Sequence, residues 1–172
     1  MDKETIATLF EKEQTKSEQD HHTPTVGAMI THVLANLKFQ SFKLEQYGWY
    51  AAGHNELFQS IYAANQKSYF TVAEKMLDNG ELVPTTVAEM QDYTFLEESG
   101  GNKYWPVADM LKDTVLDFKK SQRFINLAIQ LAQKQNNPVL EMAMVQLLSQ
   151  NQHMIYKVEQ VLGYPVPLED ED

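Results

Sequence analysis

The sequence predicts an all-α protein of the four-helix-bundle class. Three observations carry this. Four long stretches repeat apolar residues at three- and four-residue spacing. Proline, glycine or asparagine separates these stretches. No segment shows the strict alternation of a half-buried strand, and no internal repeat is present. A chain of 172 residues that is 43% apolar suits a single domain with a full core.

Residues 1–22 come first. Ile6, Leu9 and Phe10 have helical spacing, but the polar run "EKEQTKSEQD" follows after only about two apolar turns. Such a segment is too short and polar to be a stable helix alone, so it reads as an appended helix lying on something else. "HHTPT" breaks it. Thr23 before Pro24 suits an N-cap with proline at the first helical position. The first long stripe then runs through Met29, Ile30, Val33, Leu34, Leu37, Ser41, Leu44 and Tyr47. The second runs from Leu57 through Phe58, Ile61, Tyr62, Tyr69, Val72, Ala73 and Met76 to Leu77, with Asn79-Gly80 as its stop. "PTTVAEMQDY" opens a short helix, and "EESGGNKYWP" reads as a loop. Pro106 begins the third stripe, from Val107 to Ala132. "KQNNP" ends it. Pro138 begins the fourth, from Val139 to Leu162, before Gly163. These signals divide the chain into a helical extension (1–22), a four-helix bundle (23–164) and the acidic tail 165–172, which reads as disordered.

Composition removes several function classes. No cysteine is present, so disulfides and thiolate metal sites are excluded. No apolar run approaches the about 18 residues that suggest a membrane span. The opening "MDKETIATLF" lacks the basic start and apolar block of a signal peptide, so the expected compartment is the cytoplasm. The net charge of −10 opposes contact with phosphate backbones unless positive charge is clustered or supplied by a bound cation.

The segments "ANL", "QYGWYAAGHN", "VAEKML", "PTTVAEM" and "IYKVEQVLG" occur in an order and spacing that resembles the Dps family, the bacterial mini-ferritins, over about residues 25–163. "DHHTPT" followed by "GAMITHVLANL" is similar to the forms from lactic acid bacteria. The resemblance implies a ferritin-like bundle whose short helix lies between its second and third long helices. It also implies a hollow dodecamer that binds DNA in the nucleoid, protects it under starvation or oxidative stress, and oxidises and stores iron. The family's iron site lies between two subunits. One supplies two histidines, in His-Trp-x-x-x-Gly and Leu-His. The other supplies Asp and Glu four apart, in Asp-x-x-Ala-Glu-Arg; imidazole and carboxylate together suit redox-active iron.

This sequence departs from that ligand set. Alignment on "GWYAAG" places Gly48 at the first histidine and, without a gap, Ser60 at the second. Alignment on "VAEKML" places Asn55 at the second histidine, Phe70 at the Asp and Glu74 at the Glu. Neither register restores a histidine, and only Glu74 keeps the family's residue type.

The candidate metal ligands are therefore Glu74, His54, Glu18, Asp20, His21 and His22, for iron or another divalent ion. His54 reads more simply as a turn residue, and Glu74 equally well as half of an ion pair. Glu18, with His21 and His22 three and four residues on, would share a helix face, a spacing suited to zinc or iron; solvated capping residues are the plainer account. His32 and His153 lie on amphipathic helices and read as packed or surface residues. Lys3, Lys12 and Lys16 are the candidate DNA contacts, although residues 1–20 also hold Asp2, Glu4, Glu11, Glu13, Glu18 and Asp20. Trp49, Tyr50, Tyr104 and Trp105 read as core or interface rather than as a base-stacking platform.

The expectation is a Dps-like homo-oligomer, a dodecamer by resemblance, that binds DNA, with divalent cations bridging carboxylates to phosphates. Two alternatives remain open at this point: an active iron-oxidising and iron-storing cage that uses other ligands, and a bundle that serves only as an interaction module.

Overall fold

The computed structural model describes residues 3–22 and 24–164; the acidic tail and Thr23 lie outside these. Among these described residues six α-helices follow in order: α1 (Lys3–His22), α2 (Val26–Tyr50), α3 (Asn55–Asp78), α4 (Val87–Tyr93), α5 (Val107–Lys134) and α6 (Pro138–Val161). A single 3-10 helix (Gly100–Tyr104) precedes α5. There is no strand among the described residues. No helix there is long and apolar enough to cross a membrane.

Local chemistry sets the helix ends. Three of them share one closing motif, in which a residue with positive φ lets two N–H groups turn back onto the last carbonyls. Gly80 (φ 74°) does this for α3, with Gly80 N–H donating to Leu77 O at 2.9 Å and Glu81 N–H to Met76 O at 3.0 Å. Asn136 (φ 53°) closes α5 in the same way, as does Gly163 (φ 73°) for α6. The start of α2 departs from the expectation. Thr25, not Thr23, is the cap: its hydroxyl accepts from Ala28 N–H at 3.1 Å, and Pro24 stands outside the helix rather than at its first position. Thr86 and Glu89 form a reciprocal capping box at α4.

Two apolar clusters form the core. One joins the start of α2 to the end of α3, the end of α5 and the start of α6; Ile30, Leu34, Met76, Ile125, Leu140 and Met144 are fully covered in it. The other joins the opposite ends of the same helices around Tyr47, Phe58, Ile61, Met110 and Val158. This pairing makes α2 antiparallel to α3 and to α5, and leaves α3 and α5 parallel. Two parallel helices need a connection as long as themselves, so the chain crosses the bundle in residues 79–106. The crossover carries α4 and is tied to α2. Asn36 Oδ1 accepts from Phe95 N–H at 2.9 Å and from the Thr94 hydroxyl at 3.1 Å, and His32 Nδ1–H donates to Tyr93 O at 2.8 Å.

Leu34 is completely buried on α2 between its helix neighbours. Leu34→Ala is expected to lower unfolding free energy by about 2–5 kcal/mol, the cost of the lost transfer energy and the cavity left behind. The check is the denaturant midpoint followed by helical circular dichroism.

Candidate functional site

Three places hold the sequence-derived candidates or the chemistry that rivals them. The first is the end of α2 and the exposed face of α3. Gly48 is buried, and its carbonyl accepts from Asn55 Nδ2 at 2.9 Å. The amide that one register places at a ligand position therefore acts as a clip across the α2–α3 turn. Ser60 donates to its own helix at Leu57 O, at 2.7 Å. His54 precedes the first residue of α3, makes no side-chain cap, and has Nδ1 3.4 Å from Ala52 O. Phe70, Glu74 and Leu77 share one exposed face of α3 at helical spacing, so Glu74 stands between two apolar side chains, with Asp78 the next carboxylate one turn on. No three His, Asp or Glu side chains gather into a metal-sized group among the described residues. Gly48, Ser60 or Asn55, and Phe70 offer no imidazole or carboxylate, so the residues present do not fit the family's iron site.

The second place is α1. Lys3, Lys12, Lys16 and Glu18 are all exposed on it. Its last turn includes the backbone of Asp20, His21 and His22, whose side chains lie outside the described residues. Ile6, Leu9 and Phe10 remain largely exposed, although Phe10 and Glu13 edge a cleft of about 310 Å³ against α2 and the crossover. The cleft is acidic, with Glu81, Glu89 and Asp92 on its bundle side.

The third place was not anticipated. Lys43 on α2 is 5% exposed, and its Nζ lies 2.7 Å from Asp113 Oδ2 and 2.5 Å from Asp117 Oδ2, both on α5. Tyr47, one turn on from Lys43, donates its phenol to Asp113 Oδ2 at 2.7 Å, and Asn102 Nδ2 donates to that phenol at 3.3 Å. Burial pushes the Asp117 carboxyl up to about 6 against the opposing pull of Lys43, with the Asp113 charge adding to the rise. Burial, followed by the bond to Asp113, holds the Tyr47 phenol far above its ordinary value. The sequence did contain a signal: Asp117 falls between Thr114 and Ser121 on the inward stripe of α5, where a charge must find a partner.

Because the Asp117 pKa is higher in the fold than the ordinary 3.8, the folded chain holds the extra proton between those values. Asp117's contribution to stability is then largest below about pH 4 and is lost as pH rises through about 6, by at most about 3 kcal/mol. The unfolding free energy of the wild type minus that of Asp117→Asn should therefore fall between pH 4 and 6. A flat or rising difference would mean that Lys43 keeps the carboxyl ionised throughout.

Residues 30–164 match the ferritin-like domain family, described as Ferritin. No curated protein is significantly similar in sequence. Among solved structures, the chain is similar to the DpsB protein of Lactococcus lactis MG1363, at 35% identity and a TM-score of 0.93 over 96% of this chain and 98% of that one. It is also similar to the DpsA protein of the same strain, at 36% identity and a TM-score of 0.89 over 92% and 96%. Dps from Listeria monocytogenes shares the fold at 21% identity, with a TM-score of 0.77 over 83% and 96%. The bundle and tail alone are too short to reach the coverage of DpsB, so that likeness extends into α1.

Proposed function

The chain belongs to the Dps branch of the ferritin-like family, and from that premise we propose that it is one subunit of a closed homo-oligomeric cage, a dodecamer, that binds and shields DNA in the cytoplasm. The observation that carries the reading is α1: a 20-residue helix outside the bundle, with Lys3, Lys12 and Lys16 exposed, that the similarity to DpsB includes. Exposed apolar side chains support assembly. Trp49 is 67% exposed at the end of α2, with Tyr50 beside it, and Phe70 and Leu77 stand on the open face of α3. A second copy of the chain is the occupant that would cover them.

DNA contact has to overcome charge. Twelve chains of −10 each carry about −120, and salt confines the repulsion to about 10 Å near 0.1 M. The three lysines of α1 stand among more numerous acids, so counter-ion release supplies little affinity. Divalent cations that join α1 carboxylates to phosphates make up the difference, with Glu18, Asp20, His21 and His22 as the anchor. Iron is a substrate in this reading, and oxidation at the family's inter-subunit position is weak or absent for want of ligands. Neither His54 nor Glu74 belongs to a group of three or more His, Asp or Glu among the described residues that could hold a metal.

Light scattering should give a particle of about twelve 19.8 kDa subunits; a stable monomer would remove the cage. In a gel shift, full-length protein should retard DNA in the presence of magnesium. A version lacking residues 1–22, or the full chain with chelator, should not. Binding indifferent to both changes would point to a basic surface on the bundle instead. In a ferrous oxidation assay with peroxide, wild type and Glu74→Ala should be equally slow. Rapid stoichiometric oxidation lost in Glu74→Ala would restore the enzyme reading.

A further inference from the structure

Between its two apolar clusters the bundle carries a polar layer. Gln40 and Ser41 enter it from α2, Asn65 from α3, Ser121 from α5 and Asn151 from α6, all buried. Lys43, Asp113 and Asp117 adjoin this layer. Ferritin-like folds that hold metal in the bundle do so with inward side chains from facing helices, and here two carboxylates one turn apart on α5 face α2 across such a position. The Lys43 ammonium lies between them. Beside it, Gln40 is 2% exposed and neither amide atom has a partner. It lines a cavity of about 10 Å³ with Lys43, Leu44, Thr114, Asp117 and Phe118.

We propose that this is a cation site inside the bundle, built for a hard, oxygen-seeking ion and filled by the protein's own lysine. Lys43 is the residue that keeps divalent metal out. The donors are all oxygen: Asp113, Asp117, the Tyr47 phenol and the Gln40 amide. That set suits calcium, magnesium or manganese rather than a soft metal. An ammonium supplies one positive charge where two carboxylates converge, which leaves one negative charge in excess at a buried place. A divalent ion would cancel it. The carboxylates therefore favour the divalent ion on charge, and the tethered lysine prevails because it cannot leave and brings no hydration shell to strip. The proposal is independent of the DNA reading and of whether the chain assembles.

The test is to remove the tether and add manganese or calcium alone as the probe. In wild type the thermal midpoint should not move with either ion beyond the shift common to all variants from surface carboxylates. In Lys43→Ala it should rise by about 5–10 °C at a hundredfold excess over Kd. The rise should vanish in Lys43→Ala/Asp117→Asn, which keeps every surface site. If Lys43→Ala is unfolded without metal, manganese should restore its helical signal, and magnesium-free sodium chloride of equal ionic strength should not. Lys43→Gln, which keeps volume but not charge, should behave in the same direction with a smaller rise. A wild-type midpoint that responds as strongly as Lys43→Ala overturns the proposal. So does a rise that survives Asp117→Asn, or failure of both lysine variants to respond to metal.

Discussion

The bundle depends on the burial of α2. More than half of its 25 residues are covered, because α3, α5, α4 and the 3-10 helix all rest on it. A helix surrounded in this way cannot send its polar side chains to water. Each must be omitted or satisfied within the protein. Asn36 Oδ1 is satisfied by the crossover, Ser41 by Leu37 O and by Asn65, and Lys43 by the two aspartates of α5, whereas Asn36 Nδ2 and both amide atoms of Gln40 are the exceptions. These bonds specify more than they stabilise. An apolar α2 would bury as much surface, but nothing directional would then set the height at which α3, α5 and the crossover meet it.

The same constraint explains which features could be read from the sequence. Helix ends were legible where a short-range rule governs them. Gly80, Asn136 and Gly163 sit where a positive φ is required, and only residues that tolerate it serve well. The start of α2 was misplaced by two residues because Thr23 and Thr25 both flank Pro24 and carry the same hydroxyl, and the preference for proline at the first helical position favours Thr23. The stripes were legible as stripes, but not as interior. Leu77, Val139 and Val161 share their periodicity with Leu34 and Ile125, yet lie open on the single chain. Periodicity reports that a side chain avoids water and is blind to whether its cover comes from the same chain or another.

The Lys43 cluster escaped notice for a different reason. Its members are about seventy residues apart, and each alone passes for a solvated charge on a helix. What distinguishes them is position on the stripe: Lys43 stands one turn from Tyr47, and Asp117 one turn from Ser121, all facing inward. A charge on an inward stripe calls for an opposite charge on a facing one, and the chain offers few. That inference was available from helical spacing. The departure from the family's ligand pattern, by contrast, was legible only through the resemblance, since nothing in the physics of a helix end says that Gly48 stands where a histidine could.

The two halves of the molecule treat their acids differently. Inside, an ammonium held by covalent attachment answers one of two converging carboxylate charges. Over the whole chain twenty-four acids stand against fourteen basic residues, and the surplus on the outside is one that only mobile ions can answer. Lys43 is one of the fourteen and Asp113 and Asp117 are two of the twenty-four, so the cluster takes one net negative charge inside and leaves the rest of the −10 outside. The acidic cleft under α1 lies within that surplus, with Glu81, Glu89 and Asp92 facing the helix that carries Lys12 and Lys16. A basic arm would have been drawn down onto such a wall and lost to outside partners. An arm that is itself acidic overall is held there only weakly by charge: Lys16 lines the cleft, while Lys3 and Lys12 stand exposed outside it. Weak attraction to its own bundle is thus a physical advantage for a segment whose proposed work is to reach another polyanion, and the cost is dependence on cations at the moment of contact.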